Sequence, residues 1–165
     1  MPSVATNWDG TAPKTDKPLI PENVYDGTIT KIRHLEAKSF DGTGMENRVV
    51  LDFTIPEVEW TKTNEDGTTE KMNGCTISLW VNPTITKGSG RFSNSTLYNI
   101  IEKAGLLDKA KENTAKFADE TNGLDNLVGF LSENLEGKKS RFTVLTRNKG
   151  KENQYTSVKE VVTFS

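Results

Sequence analysis

The sequence predicts a mainly β domain of five strands with helices between the third and fourth, and three observations lead to it. Residues Gly74 to Pro83 alternate cleanly, with Cys75, Ile77, Leu79 and Val81 on one side and Thr76, Ser78, Trp80 and Asn82 on the other. Two amphipathic helical stripes fall together in one block, at about 95–136. The β-prone stretches flanking that block are cut by turn-forming runs, Asp41-Gly42-Thr43-Gly44 and Asn148-Lys149-Gly150-Lys151.

In chain order, residues 1–21 carry Pro2, Pro13, Pro18 and Pro21 and neither helical nor strand periodicity, and so read as an arm preceding a domain at 22–165. Trp8 suggests that the arm packs back on the domain or on a neighbouring subunit, a route to homo-oligomers. From Val24 to Phe40 the apolar positions are Tyr25, Ile29, Ile32 and Leu35, and the step from Ile29 to Ile32 breaks alternation. A bulge there, helped by Gly27, lets one long strand bend and serve both sides of a barrel. Arg48 to Ile55 forms the second strand, with Val49, Leu51, Phe53 and Ile55 inward. Pro56 to Asn73, centred on Asn64-Glu65-Asp66-Gly67, reads as a long or β-hairpin loop, and Trp60 within it has no assigned partner.

After the central strand, Thr84 to Asn94 is a flexible basic loop. Ser95 is the N-cap of a helix whose stripe is Leu97, Ile100, Ile101 and Ala104, with Gly105 at C′. A weaker helix is expected over 107–118, and Leu124, Leu127, Val128, Leu131 and Leu135 mark another, ended by Gly137. Ser140 to Arg147 and Gln154 to Phe164 close the chain as a hairpin.

Charged residues make up 27% and the hydrophobic set 33%, which with thirteen aromatics gives one polar globular domain with a small or one-sided core. The single cysteine, Cys75, excludes an intramolecular disulfide and suits a reducing cytoplasm. No run approaches a membrane span and the N-terminus lacks signal-peptide regions, so no membrane partner is expected. Although the net charge is −2, residues 138–151 hold six Lys or Arg and no acid, while 102–136 hold eight acids against four lysines and 57–71 five acids against two lysines. Such segregation fits a polyanion groove on an otherwise repelling surface.

Three strands, a helical region and two strands, with a bent first strand, is the order of an OB-fold, a five-stranded Greek-key barrel whose second and third strands and 1–2 and 4–5 loops form the usual ligand face. Trp80 projects from strand 3, Arg48 opens strand 2, and Tyr155 opens strand 5 as a second aromatic at the same mouth. Lys138, Lys139, Arg141, Arg147, Lys149 and Lys151 cover strand 4 and the 4–5 loop, and Lys87, Arg91 and Phe92 lie on the basic loop. Stacking on aromatics and backbone tracking by Lys and Arg are what sequence-tolerant single-strand binding needs. The competing roles are structural: Trp80 capped by the helical insertion, Tyr155 closing a barrel end, and Phe92 stapling the helix it precedes.

Three segments carry a family resemblance: Tyr-Asp-Gly-Thr-Ile in the opening strand, Ser-Thr-Leu-Tyr-Asn-Ile-Ile-Glu-Lys-Ala-Gly at 95–105, and Leu-Glu-Gly-Lys-Lys-Ser-Arg-Phe-Thr-Val with the later Gln-Tyr-Thr-Ser-Val. In their order, over roughly 22–164, the chain resembles the OB-fold single-stranded-DNA-binding proteins of bacteriophages. The resemblance implies a replication or recombination accessory in the host cytoplasm, with replication or recombination proteins as partners.

Catalysis is not expected, nor is any cofactor or metal. His34 is the only histidine and Cys75 the only cysteine, too few for a zinc centre. Gly88-Ser89-Gly90-Arg91-Phe92-Ser93 lacks the Gly-Lys-Ser/Thr ending of a phosphate loop. The acid pairs Asp119 with Glu120 and Glu57 with Glu59 lie in solvated stretches. Two function classes remain: binding of single-stranded DNA, with RNA as an open alternative, and a non-enzymatic protein-interaction or assembly module such as a phage structural or inhibitor protein.

Overall fold

A computed structural model describes residues 18–39, 42–151 and 154–165. Most of the expected arm, with Trp8, and the Phe40–Asp41 start of the first turn lie outside them. The elements are β1 (Val24–Lys38), β2 (Met45–Thr63), β3 (Thr69–Val81), α1 (Thr96–Lys103), α2 (Leu107–Glu112), α3 (Thr114–Phe117), α4 (Gly123–Leu135), β4 (Lys139–Arg147) and β5 (Tyr155–Phe164). The strands make one antiparallel sheet in the order β3-β2-β1-β4-β5. Its two edge strands, β3 and β5, come into contact without a hydrogen-bonded ladder between them.

β1 holds this arrangement together because its two halves have different partners. Val24–Thr28 pair with β4 and Thr28–Lys38 with β2, with a register shift between Ile29 and Lys31 that leaves Thr30 as the extra residue. The bulge returns both Ile29 and Ile32 to the buried side. Gly27 contributes space rather than curvature. A Cβ there would meet the Thr54 carbonyl oxygen at 2.6 Å and the Phe142 ring at 2.9 Å, so only glycine lets β2 and the ring approach this closely.

The core lies between the inner face of the sheet and the helices. Phe53 and Phe142 are fully buried with ring centroids 4.8 Å apart, and Ile29, Leu51, Val49 and Val158 surround them on the strands. Leu97, Ile100 and Ile101 of α1 and Leu131 and Leu135 of α4 join the same cluster. Burial of each such side chain contributes about 1.5–3 kcal/mol. Ser95 caps α1 as expected, its Oγ accepting from Tyr98 N at 3.2 Å, and Gly105 follows the helix at φ 73°. The stripe assigned to α4 omitted Phe130, which is buried edge-on against Phe117 of α3.

Two boundaries differ from expectation. Of the two readings of residues 56–73 the β-hairpin is the one that forms, and it extends the strands rather than standing before them: β2 and β3 run on as a ladder from Glu59–Asn73 to Thr63–Thr69, closed by the Asn64–Gly67 turn. Pro56 falls in the register shift between Ile55 and Glu59, where its missing N–H costs no ladder bond. Gly74 faces it at φ 85°, where a Cβ would stand 2.9 Å from the Pro56 carbonyl oxygen. Trp60 gains a partner here, its Nε1 donating to the Gly74 carbonyl at 2.8 Å. The arm boundary at 21 also falls late. Ile20 is buried in the core cluster, and the Pro18 carbonyl accepts from Thr156 N at 2.9 Å, so residues 18–21 dock on β5.

Cys75 is half-buried beside the core, and burial pushes its thiol up to about 11. At pH 8 roughly one thiol in a thousand is then ionised, and only the thiolate reacts. Maleimide labelling is therefore expected to be slow in the native protein and to reach the free-thiol rate in denaturant; fast native labelling would contradict this placement. No helix among the described residues is long and apolar enough to cross a membrane.

Candidate nucleic-acid interface

The strand registers lay out the outer face of β1, β2 and β3 row by row. Trp80, Val50 and Arg33 stand across from one another, then Ser78, Asp52 and Lys31, then Thr76, Thr54 and Thr28. Trp80 is 51% exposed, so no helix of the insertion caps it. Val50 is 0% exposed although it points away from the core cluster, flanked in register by Trp80 and Arg33. An indole, an apolar floor and a guanidinium thus form one row, a surface suited to a flat aromatic ligand.

The next rows are polar and internally bonded. Asp52 Oδ1 accepts from Ser78 Oγ at 2.6 Å and from an Arg33 terminal nitrogen at 3.4 Å. The hydroxyls of Thr30, Thr54 and Thr76 form a chain with spacings of 3.1 and 2.9 Å. Arg33, Lys31, Asp52 and Ser78 were absent from the residues proposed on sequence. The signal was present, because a bulge that turns Ile29 and Ile32 inward puts Lys31 and Arg33 on the outward phase.

Of the proposed residues, Arg48 shares the Trp80 face, but its side chain is 11% exposed and pairs with Glu46 at 2.8 Å. The basic loop is tied down rather than free. Ser95 Oγ accepts from Thr86 N at 3.0 Å and donates to the Thr84 carbonyl, and Asn94 Oδ1 accepts from Gly88 N at 2.7 Å. Phe92 is 69% exposed with the Arg91 guanidinium 5.7 Å from its ring centroid, which corrects the staple reading. Lys87, exposed on the same loop, lines an apolar cavity of about 580 Å³ with Tyr98, Leu107, Phe117, Leu124 and Leu127.

The run from Lys138 to Lys151 is less free than its composition implies. Arg141 is bound by Asp26 at 2.9 and 3.3 Å, and Lys149 by Glu22 at 2.6 Å. These hydrogen bonds hold the Asp26 and Glu22 carboxyls below the usual range, the Thr146 amide adding to the effect on Glu22. Both acids lie more than a hundred residues upstream, so a count confined to the run cannot see them. Arg147 Nε donates to Ser157 Oγ at 3.0 Å, Lys138 is half-buried, and Lys139 and Lys151 are exposed.

Tyr155 is half-buried opposite Arg147. Trp80 aligns with Arg33 in the second half of β1, whereas β4 pairs with the first half, Val24–Thr28, and carries Arg147 and Tyr155 beyond it.

His34 sits at the helical side, its Nε2 2.7 Å from Asp125 Oδ1 on α4. Among the described residues, no three His, Cys, Asp or Glu side chains are grouped to hold a metal ion. Compared with models of protein families, with curated proteins and with solved structures, the chain matches none.

Proposed function

We propose that the domain is an OB-fold barrel that binds single-stranded DNA with little sequence preference, as a phage replication or recombination accessory. The observation that carries the reading is the exposed Trp80 in register with Val50 and Arg33 on an outer sheet face. Strand order supports it, since β3-β2-β1-β4-β5 with β3 against β5 is the neighbour relation of that barrel. Lys139 on β4 and Lys151 on the β4–β5 turn are exposed and add cations for a backbone to follow.

Fluorescence anisotropy of a labelled oligo-dT over a salt series tests the proposal. Affinity is expected to fall with a log-log slope of several units, about 0.7 per phosphate contacted, and duplex is expected to compete poorly. A flat salt response or a preference for duplex would contradict it. Replacing Arg147, Lys149 and Lys151 together by Ala is expected to weaken all sequences alike. The slope should fall by less than three contacts' worth, because Lys149 is already held by Glu22.

A protein-interaction or assembly module is the second reading, and the cavity of about 580 Å³ between the Lys87 loop and the helices favours it. Oligonucleotide binding that is absent at low salt would leave this reading in place of the first.

A further inference from the structure

Asp52 is an unusual residue to find in the middle of a face that binds a polyanion. Its side chain is 14% exposed, and Arg33 and Ser78 both bond to the same oxygen, Oδ1. Oδ2 has no hydrogen-bond partner among the described residues, yet it is not sealed: the buried side-chain atoms left without partners there are Arg33 Nε and Thr143 Oγ1. The carboxylate is therefore fixed in orientation, with one acceptor oxygen left for a ligand.

A partly buried carboxylate costs solvation and repels phosphates, so a strand lying on this face turns its base edges, not its backbone, toward Asp52. An ionised carboxylate only accepts hydrogen bonds. Asp52 stands directly across from Ser78 and diagonally from Trp80, and diagonal neighbours on adjacent antiparallel strands are about 7–8 Å apart. The edge of a base stacked on the indole reaches that far. Oδ2 has two lone-pair sites and can accept from two donors at once, and among the four bases guanine alone presents two adjacent donors, N1–H and the N2 amino group, on one edge.

We infer that Trp80 and Asp52 together form a one-base subsite that prefers guanine, within a surface that otherwise accepts any sequence. The inference rests on the reading of this face as the one that binds single strands. Its test is a set of labelled dT oligomers with one central position changed to dG, deoxyinosine or dA, bound to the full chain and to Asp52→Asn. For the native protein, dG is expected to bind roughly tenfold tighter than dT, within the range of a paired base-edge contact. Deoxyinosine, which lacks the N2 amino group, is expected to lose most of that gain. In Asp52→Asn the dG to dT ratio is expected to approach one, whatever the absolute affinities.

Equal affinity for dG, dA and dT in the native protein, or a ratio unchanged in Asp52→Asn, overturns the subsite while leaving the binding face standing. Failure of the native protein to bind any of the oligomers overturns the binding face and the subsite with it. If Asp52→Asn does not fold by circular dichroism, the comparison of dG with deoxyinosine needs no variant, and Ser78→Ala, which leaves Asp52 Oδ1 to Arg33 alone and loosens the carboxylate, is expected to lower the dG to dT ratio, an unchanged ratio overturning the subsite.

Discussion

Phe142→Ala is expected to remove about 3–5 kcal/mol of folding stability, the range for deleting a buried aromatic ring. Phe142 is 0% exposed and tilted 54° against Phe53. Its ring also fills the space above Gly27, where the bare backbone has no side chain with which to collapse into the gap. The cavity therefore persists, and the aromatic pair contributes a further term of about 0.5–1.5 kcal/mol that is lost as well. Against a total of about 5–15 kcal/mol for an ordinary domain, the variant is expected to be marginal at 37 °C. Urea unfolding followed by circular dichroism measures it. A loss below about 1 kcal/mol would mean that the space between Gly27 and Phe53 is not filled as described.

Trp80→Ala is the second large effect, and it is expected in binding rather than folding. Stacking of a base on an aromatic platform is worth about 1–3 kcal/mol, so affinity for oligo-dT should fall roughly 5- to 150-fold. Folding stability should change by about 1 kcal/mol or less, because the indole is half exposed and its main structural service is to shield Val50. Trp80→Phe should retain much of the affinity. A variant that binds normally but melts early would put Trp80 among the structural residues.

The parts of this fold that the sequence displays are those where one face is buried and the other is not. β3 between Gly74 and Val81 alternates because its inner residues Ile77, Leu79 and Val81 meet the core while Thr76 and Trp80 do not. α1 is legible for the same reason, with Ser95 and Gly105 marking its ends. The hairpin from Glu59 to Asn73 was legible only as one of two readings, long loop or β-hairpin, because no residue of this two-stranded ribbon is fully buried and the inward phase of its first strand, Val58, Trp60 and Lys62, ends on a charge. The docking of Ile20 was hidden by the prolines beside it, which suppress periodicity without preventing an extended segment from lying along β5.

The candidate site was half legible. Trp80 stood out as an indole among Thr, Ser and Asn, and the structure leaves it exposed. The outward phase of Arg33 follows from the expected β1 bulge, but that Arg33 and Asp52 stand beside Trp80 depends on registers between strands distant in sequence. The basic run misled in the opposite direction: its charge is plain in the sequence, but the acids that bind Arg141 and Lys149 come from the start of the chain.

The central claim is that the β1–β2–β3 outer face takes single strands through Trp80, and the most direct measurement is the fluorescence of that indole alone. In a Trp8→Phe, Trp60→Phe background, Trp80 is expected to emit at the long wavelength of a solvated indole and to be quenched saturably by oligo-dT, with a midpoint that moves to higher concentration as salt is added. An emission already blue-shifted in the free protein and unchanged at saturating oligonucleotide would contradict the account.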